Sequence, residues 1–393
     1  MRRKEPEVKP ESYERKAEPW PRVPVSGLGR EVAQRVLESG IRVDEEERAG
    51  TYFQADHSVV SVSLKSAFEG MVELMSTMEA IERHGWVRDL MWGTMDPSAD
   101  RFTDFASKNW DNGYFIRILE GQRVTLPVQA CLFLSKENLN QNVHNIIVAE
   151  PGSEAQIITG CATHPSVRHG LHIGVSEFYV RRGAKLTFTM IHNWADEFDA
   201  RPRTGIVVED GATFISNYIC LKPVRSLQMS PAAYCRGESS RASFNSILYG
   251  KGSSYMDVGS RIFLQGKGSR GEIVSRAAAA DESTIYARGL LVGEHEDSRA
   301  HLECRGLLLS DRAHMHAVPE LIGRVKGTEL SHEAAVGKIA EDQIQYLMAR
   351  GFTEREAEAL IIRGFMDVGI FGLPERITRD ISEMLDRALE GAL

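Results

Sequence analysis

The chain is poor in cysteine, with five in 393 residues (Cys131, Cys161, Cys220, Cys235 and Cys304), odd in number and widely scattered. That distribution argues against a disulfide framework and fits reduced thiols in a cytoplasmic protein. There is no C-x-x-C pair, which argues against a closed structural zinc site or a ferredoxin-type cluster built by one chain. There is also no run of about 18 apolar residues that would cross a bilayer. Residues 1–16 are charged and proline-bearing and lack the apolar stretch of a secretory signal. Nor is there an excess of positive charge. The net charge of -8 argues against a general nucleic-acid binder, which needs a basic face to neutralise phosphates. What remains, 42% apolar and 26% charged residues, is the composition of a soluble globular protein long enough for two or three domains.

Residues 1–25 are rich in Lys, Glu and Pro and read as a mobile arm. Residues 26–110 read as an N-terminal helical region. Within it, Leu64, Phe68, Val72, Met75 and Met78 fall three or four apart and predict one apolar helical stripe over 58–92. Residues 96–108 read as a polar connection. From about Asn112 the texture changes to short Val, Ile, Phe and Thr runs between turn residues, such as Phe115-Ile116-Arg117-Ile118-Leu119 and Asn145-Ile146-Ile147-Val148.

Those turns recur. Gly152, Gly183, Gly211, Ser239, Gly268, Asp297 and Gly327 follow one another at a period of roughly 30 residues. Gly252, Asp281 and Asp311 interleave a second series at the same period. A fixed period of this size marks a solenoid, in which one unit cannot bury its apolar face alone. Two strands per period predict a β-helix core over residues 111–330. A β-sandwich is the rival, but it calls for turn signals about every 10 residues. The expected fold is therefore mainly β with helical ends: a β-helix solenoid between an N-terminal helical region and a C-terminal helical domain at 331–393. In that tail a helix over 339–350 ends at Gly351, Thr353-Glu354-Arg355-Glu356 forms a capping box for the next, and Pro374 opens a last one.

Candidate chemistry gathers where the architecture changes, at Ser331-His332-Glu333 with Cys304 upstream. Thiolate, imidazole and carboxylate together suit iron or zinc. Each residue also has a plainer reading: Cys304 as a core cysteine beside Leu302, His332 as an exposed junction residue, and Glu333 as an acid favoured in a first helical turn. Ser331 is placed to cap that helix. His314-x-His316 alternates in a strand, so both rings share a face, but two histidines alone are too few for a metal. Gly250-Lys251-Gly252-Ser253 and Gly266-Lys267-Gly268-Ser269 imitate the end of a P-loop. Asn245 and Arg261 stand where its first glycine belongs, so both read as tight turns and no ATP hydrolysis by this chain is expected.

The tail and junction resemble the SufB/SufD family of iron–sulfur cluster assembly proteins. The matching residues are His332-Glu333-Ala334, Gly337-Lys338-Ile339, Glu341-Asp342-Gln343, Tyr346-Leu347, Arg350-Gly351-Phe352, Ala359-Leu360-Ile361 and Gly364-Phe365. Upstream, Gly306-Leu307-Leu308-Leu309-Ser310, Pro319-Glu320-Leu321, His192-Asn193-Trp194 and Gly160-Cys161 extend the match. The resemblance implies a non-catalytic scaffold that holds a nascent iron–sulfur cluster and passes it to apo-proteins. It implies a SufC-like ABC ATPase docked on the C-terminal helices, and a second copy or a SufB/SufD paralogue paired through the β-helix. It also implies cluster contacts from Cys304, His332 and Glu333. A SufD-like subunit that supports a separate SufB and binds no cluster alone is the alternative.

Overall fold

The computed structural model describes residues 5–366, together with Arg379 and Glu383. The helix expected from Pro374 lies outside the described residues. The core is a two-faced parallel β-solenoid. Among the described residues one face runs through ten strands, from the edge strand Ser58–Leu64 to the strand Glu329–Lys338. The other runs from Val72–Ser76 to His314–Gly323.

Successive turns stack in register, so equivalent residues of neighbouring turns lie side by side. Tyr218, Ser246, Ser275, Cys304 and Ala334 form one such column. The turn residues expected from the repeat carry the corner. Gly152, Gly183, Gly211, Ser239, Gly268, Asp297 and Gly327 all have positive φ, between 57° and 94°. A left-handed residue reverses the chain tightly, and glycine does this without a Cβ penalty. Asp and the occasional Ser replace it where local hydrogen bonding offsets the strain. From Gly152 on, N–H groups at these corners bond to the next turn: Gly152 to Arg182 O, Gly183 to Asp210 O, Gly211 to Glu238 O and Ser239 to Lys267 O.

Both ends depart from the expected domain plan. Residues 58–92 are not one helix. They form the strand Ser58–Leu64, a 3₁₀ turn at Ser66–Phe68, the strand Val72–Ser76 and short helices at Thr77–Arg83 and Val87–Leu90. Ser58-Val-Val-Ser-Val-Ser alternates with period two, and this wins over the looser helical spacing of Leu64 to Met78. The reason is positional. Gly50–Ala55 joins the solenoid in parallel, and Ser58–Leu64 folds back on it antiparallel. On the other face Val72–Ser76 is antiparallel to Tyr114–Ile118. Antiparallel strands end the stack and guard its edge against further pairing.

The polar connection contains a helix, Arg101–Asn109, started by a capping box between Asp100 and Thr103. The described part of the N-terminal arm is docked. Val8 is buried, Glu14 bridges Leu139, Arg15 pairs with Asp111, and Trp20 donates to Asp56. Its few large apolar and aromatic residues are enough to hold it against the solenoid.

At the C-terminal end no further strand follows Glu329–Lys338 among the described residues. Residues 331–338, expected to open the helical domain, form instead the last strand, Glu329–Lys338, exposed almost throughout. The helices begin later, at Glu341–Met348 and Glu354–Met366. Gly351 has φ +99°, and Thr353 and Glu356 exchange the expected capping bonds. Ala357, Ile362 and Met366 seat the second helix, while Tyr346, Met348, Phe352 and Leu360 remain exposed.

Candidate functional site at the open end of the solenoid

Cys304 sits on the strand Arg299–Leu308, one turn from the open end. Alternation along that strand buries Ala300, Leu302 and Cys304 in the core and turns His301, Glu303 and Arg305 outward. The Cys304 thiol is fully buried, and its pKa is pushed up to about 11 by burial, with Glu303 adding to the shift and Arg276 opposing it. At neutral pH it is a thiol, and ligation of a metal requires that proton to leave. Alkylation of Cys304 in the folded chain is expected to be at least about 100-fold slower than for an unperturbed thiol, from the thiolate fraction alone. It should accelerate about tenfold per pH unit up to pH 11, a dependence that iodoacetamide labelling and peptide mass spectrometry would check.

The last strand places the other two residues. His332 lies beside Leu302, at the end of a column whose earlier members, Phe244, Ile273 and Leu302, are core residues. It is therefore an imidazole at a core-facing position, exposed because no further turn among the described residues covers it. It does not begin a helix, and Ser331 caps none; the Ser331 hydroxyl bonds to His301 Nδ1 at 2.8 Å. Cys304 lies beside Ala334, so Cys304 and His332 share the inward face, offset by two residues across adjacent strands.

Glu333 lies beside Glu303 on the opposite, outward face. There Arg305 bridges Glu303 at 2.6 Å and Glu333 at 3.0 Å, and Arg276 pairs with Glu303 at 2.7 Å. Within one chain the structure thus brings Cys304 and His332 to one face and leaves Glu333 in an ion-pair ladder on the other. Among the described residues no three His, Cys, Asp or Glu side chains gather as a metal ion would need. His314 and His316 do share a face, and His316 stacks on Tyr286 at 4.8 Å.

One feature of the interior was not read from the residue pattern. His192 lies in register between Cys161 and Cys220 on successive turns, and Trp194 packs between His192 and His172. Tyr218 bonds to His192 Nδ1 at 2.8 Å, and His172 Nδ1 to Gln141 Oε1 at 2.9 Å. Both histidines are buried. Burial lowers the pKa of His172 to about 3, and that of His192 well below the usual imidazole value, with His172 adding to the latter shift. The signal was present in the spacing: Cys161, His192 and Cys220 succeed one another at the period of the turns.

The relatives of the chain bear on its function. The description "SUF system FeS cluster assembly, SufBD core domain" matches residues 132–365. The chain belongs to the SufBD family. It is 48% identical over 366 residues to an iron–sulfur cluster assembly SufBD family protein of Methanothermobacter thermautotrophicus (strain Winter), covering 92% of this chain and 88% of the other. A SufBD family protein of Archaeoglobus fulgidus is 47% identical over 355 residues, 90% of this chain and 94% of that one. The iron–sulfur cluster assembly protein SufB of Bacillus subtilis is 27% identical over 396 residues, 98% of this chain and 82% of that one. This SufBD chain is therefore a component of iron–sulfur cluster assembly with a β-solenoid core. No helix among its described residues is long and apolar enough to cross a membrane.

Proposed function

We propose that this chain is a cytoplasmic, non-catalytic scaffold that holds a nascent iron–sulfur cluster at an interface between two solenoids. The observation that carries the reading is the pair at the last described turn: Cys304 and His332 share one face, and no third protein ligand stands near them among the described residues. A second solenoid end supplies what is missing. In a two-fold homodimer each interface presents Cys304 and His332 twice. Glu333, which faces outward against Arg305, joins the set only from the partner solenoid and only once Arg305 releases it. The cluster is cargo, and a thiolate–imidazole–carboxylate set holds it less permanently than four thiolates would.

The exposed apolar residues Tyr346, Met348, Phe352 and Leu360 on the C-terminal helices are the docking surface for a SufC-like ABC ATPase. ATP-driven movement of those helices shifts the last turns to which they are joined and opens the buried thiol. Burial of Cys304 favours the second reading, a SufD-like subunit that supports a separate SufB and binds no cluster alone.

Anaerobic reconstitution of the full chain with iron and sulfide, beside Cys304→Ser, separates the two. Under the scaffold reading the wild type gains charge-transfer absorption and a Mössbauer signal of cluster iron, and Cys304→Ser loses most of both. Light scattering should find a dimer. A folded wild-type chain that stays monomeric and takes up no cluster would sink the scaffold reading in favour of the supporting subunit.

A further inference from the structure

Away from the open end, the outer face of the solenoid beneath the N-terminal segment concentrates arginine. The guanidinium groups of Arg101, Arg201 and Arg203 lie 5.0, 5.2 and 5.2 Å from the ring centroid of Phe102. Arg201 is among the largest fully buried side chains in the structure.

Arg201, Arg203 and Arg261 reach alternate residues of one turn. Arg201 donates to Ser226 O at 3.0 Å and Ser226 Oγ at 2.7 Å. Arg203 donates to Gln228 O at 3.0 Å and Gln228 Oε1 at 3.1 Å, and Arg261 to Ser230 O at 3.0 Å. Alternate residues of an extended chain point the same way and stand about 7 Å apart. The three guanidinium groups are thus ranged along one line, with Arg201 as the buried floor and the half-buried Arg203 and Arg261 toward solvent.

Their charge is only partly matched by ion pairs. Arg203 pairs with Asp100 at 2.6 Å, but among the described residues Arg201 and Arg261 have no ion-pair partner. The Nε groups of Arg201 and Arg261 are buried and without a hydrogen-bond partner. Nearby arginines are already matched, Arg225 with Asp199 and Arg288 with Asp257. A buried, unpaired guanidinium is costly to keep, and its planar fork of donors suits an oxyanion. Asp199, near Arg201 but paired with Arg225, offsets part of the charge; what stays open is the unpartnered Nε edge of Arg201 and Arg261, and a planar guanidinium fork suits a phosphate. Glu5, exposed on the N-terminal segment, interacts electrostatically with Arg201 and Arg203 but forms no ion pair with either.

We propose that Arg201, Arg203 and Arg261 form a phosphate-binding site on the outer face of the solenoid, with Glu5 of the N-terminal segment as a tethered competitor. The ligand is free phosphate or the terminal phosphate of a nucleotide. This site is independent of the cluster half-site, which lies on the inward face of the opposite sheet.

Isothermal titration calorimetry of the full chain with inorganic phosphate at low salt tests it, beside Arg261→Met and Glu5→Gln, with ATP as a second titrant. Wild type should bind phosphate, Arg261→Met about tenfold or more weaker, and Glu5→Gln a few-fold tighter. Thermal melts confirm that both variants fold; Glu5 is exposed, so its substitution does not threaten the core. ATP binding much tighter than phosphate identifies a nucleotide ligand, and equal or weaker binding identifies free phosphate. No binding of phosphate or ATP to either wild type or Glu5→Gln would overturn the proposal, as would unchanged affinity in a folded Arg261→Met.

Discussion

Between pH 7 and 4.5 the folded chain is expected to lose at least about 2.5 kcal/mol of stability through buried histidines. His172 has its pKa lowered by burial to about 3, and His192 is shifted the same way by burial and by His172. The folded protein keeps both rings neutral, while the unfolded chain protonates them from about pH 6.5 downward. The unfolded state therefore binds more protons across this window. The contribution is present in full above pH 6.5 and is lost as pH falls toward 3. His172 alone accounts for a loss of about 2.5 kcal/mol by pH 4.5, and His192 adds to it in the same direction. Against a total of about 5–15 kcal/mol this is a large share of the margin of a typical domain. Urea midpoints at pH 7, 5.5 and 4.5 would measure it, with the histidine variants separating it from the carboxylates that titrate near pH 4.5. His172→Gln and His192→Gln should flatten the slope even if they lower stability at pH 7. A wild-type midpoint that does not move over this range would show that the rings are not held neutral.

Removal of the Glu177 carboxylate is the second large effect, and it acts at neutral pH. Glu177 is fully buried and accepts from the backbone N–H groups of Trp92 and Thr94, from the Thr94 hydroxyl at 2.8 Å and from His144 Nε2 at 2.7 Å. His144 is equally buried, with Trp92 edge-on at 4.8 Å. The carboxylate fastens the segment around Trp92, a residue at φ +62°, to the solenoid wall. Glu177→Ala leaves those donors buried and unpaired, which should cost about 3–5 kcal/mol. Glu177→Gln keeps one acceptor oxygen and should cost less. Arg83→Ala, which breaks an exposed pair with Glu79, should cost under about 1 kcal/mol. Chemical denaturation of the three variants gives the comparison. Equal costs for Glu177→Ala and Arg83→Ala would mean that the N-terminal segment is not part of the cooperative core.

The solenoid was legible because its repeat is written in residues with few alternatives. A left-handed corner accepts Gly, Asp, Asn or occasionally Ser, so the periodic series from Gly152 to Gly327 stands out against any neighbouring sequence. The capping box at Thr353 and the stop at Gly351 were legible for the same reason, since backbone groups and one or two side chains decide them locally.

Leu64 to Met78 misled because helical spacing over five residues competes with a strand pattern that only neighbouring strands can stabilise. Ser58–Leu64 and Val72–Ser76 are strands because each has an antiparallel partner at the end of the stack. His332 was placed at a helix start for a related reason: its strand exists only by pairing with Arg299–Leu308.

The candidate site divides along the same line. Sequence alone supplied the residue types and the resemblance, while the pairing that sets His332 on the strand beside that of Cys304 belongs to the tertiary structure. Only the tertiary structure decided that Cys304 and His332 face inward while Glu333 faces outward against Arg305. A strand presents its side chains alternately to two faces, and which face becomes the core is settled by what packs against it. The same holds for His172 and His192, and for Arg201 and Arg261. Their types are plain in the sequence, but their burial, and the missing partners that give them consequence, are properties of the stacked turns.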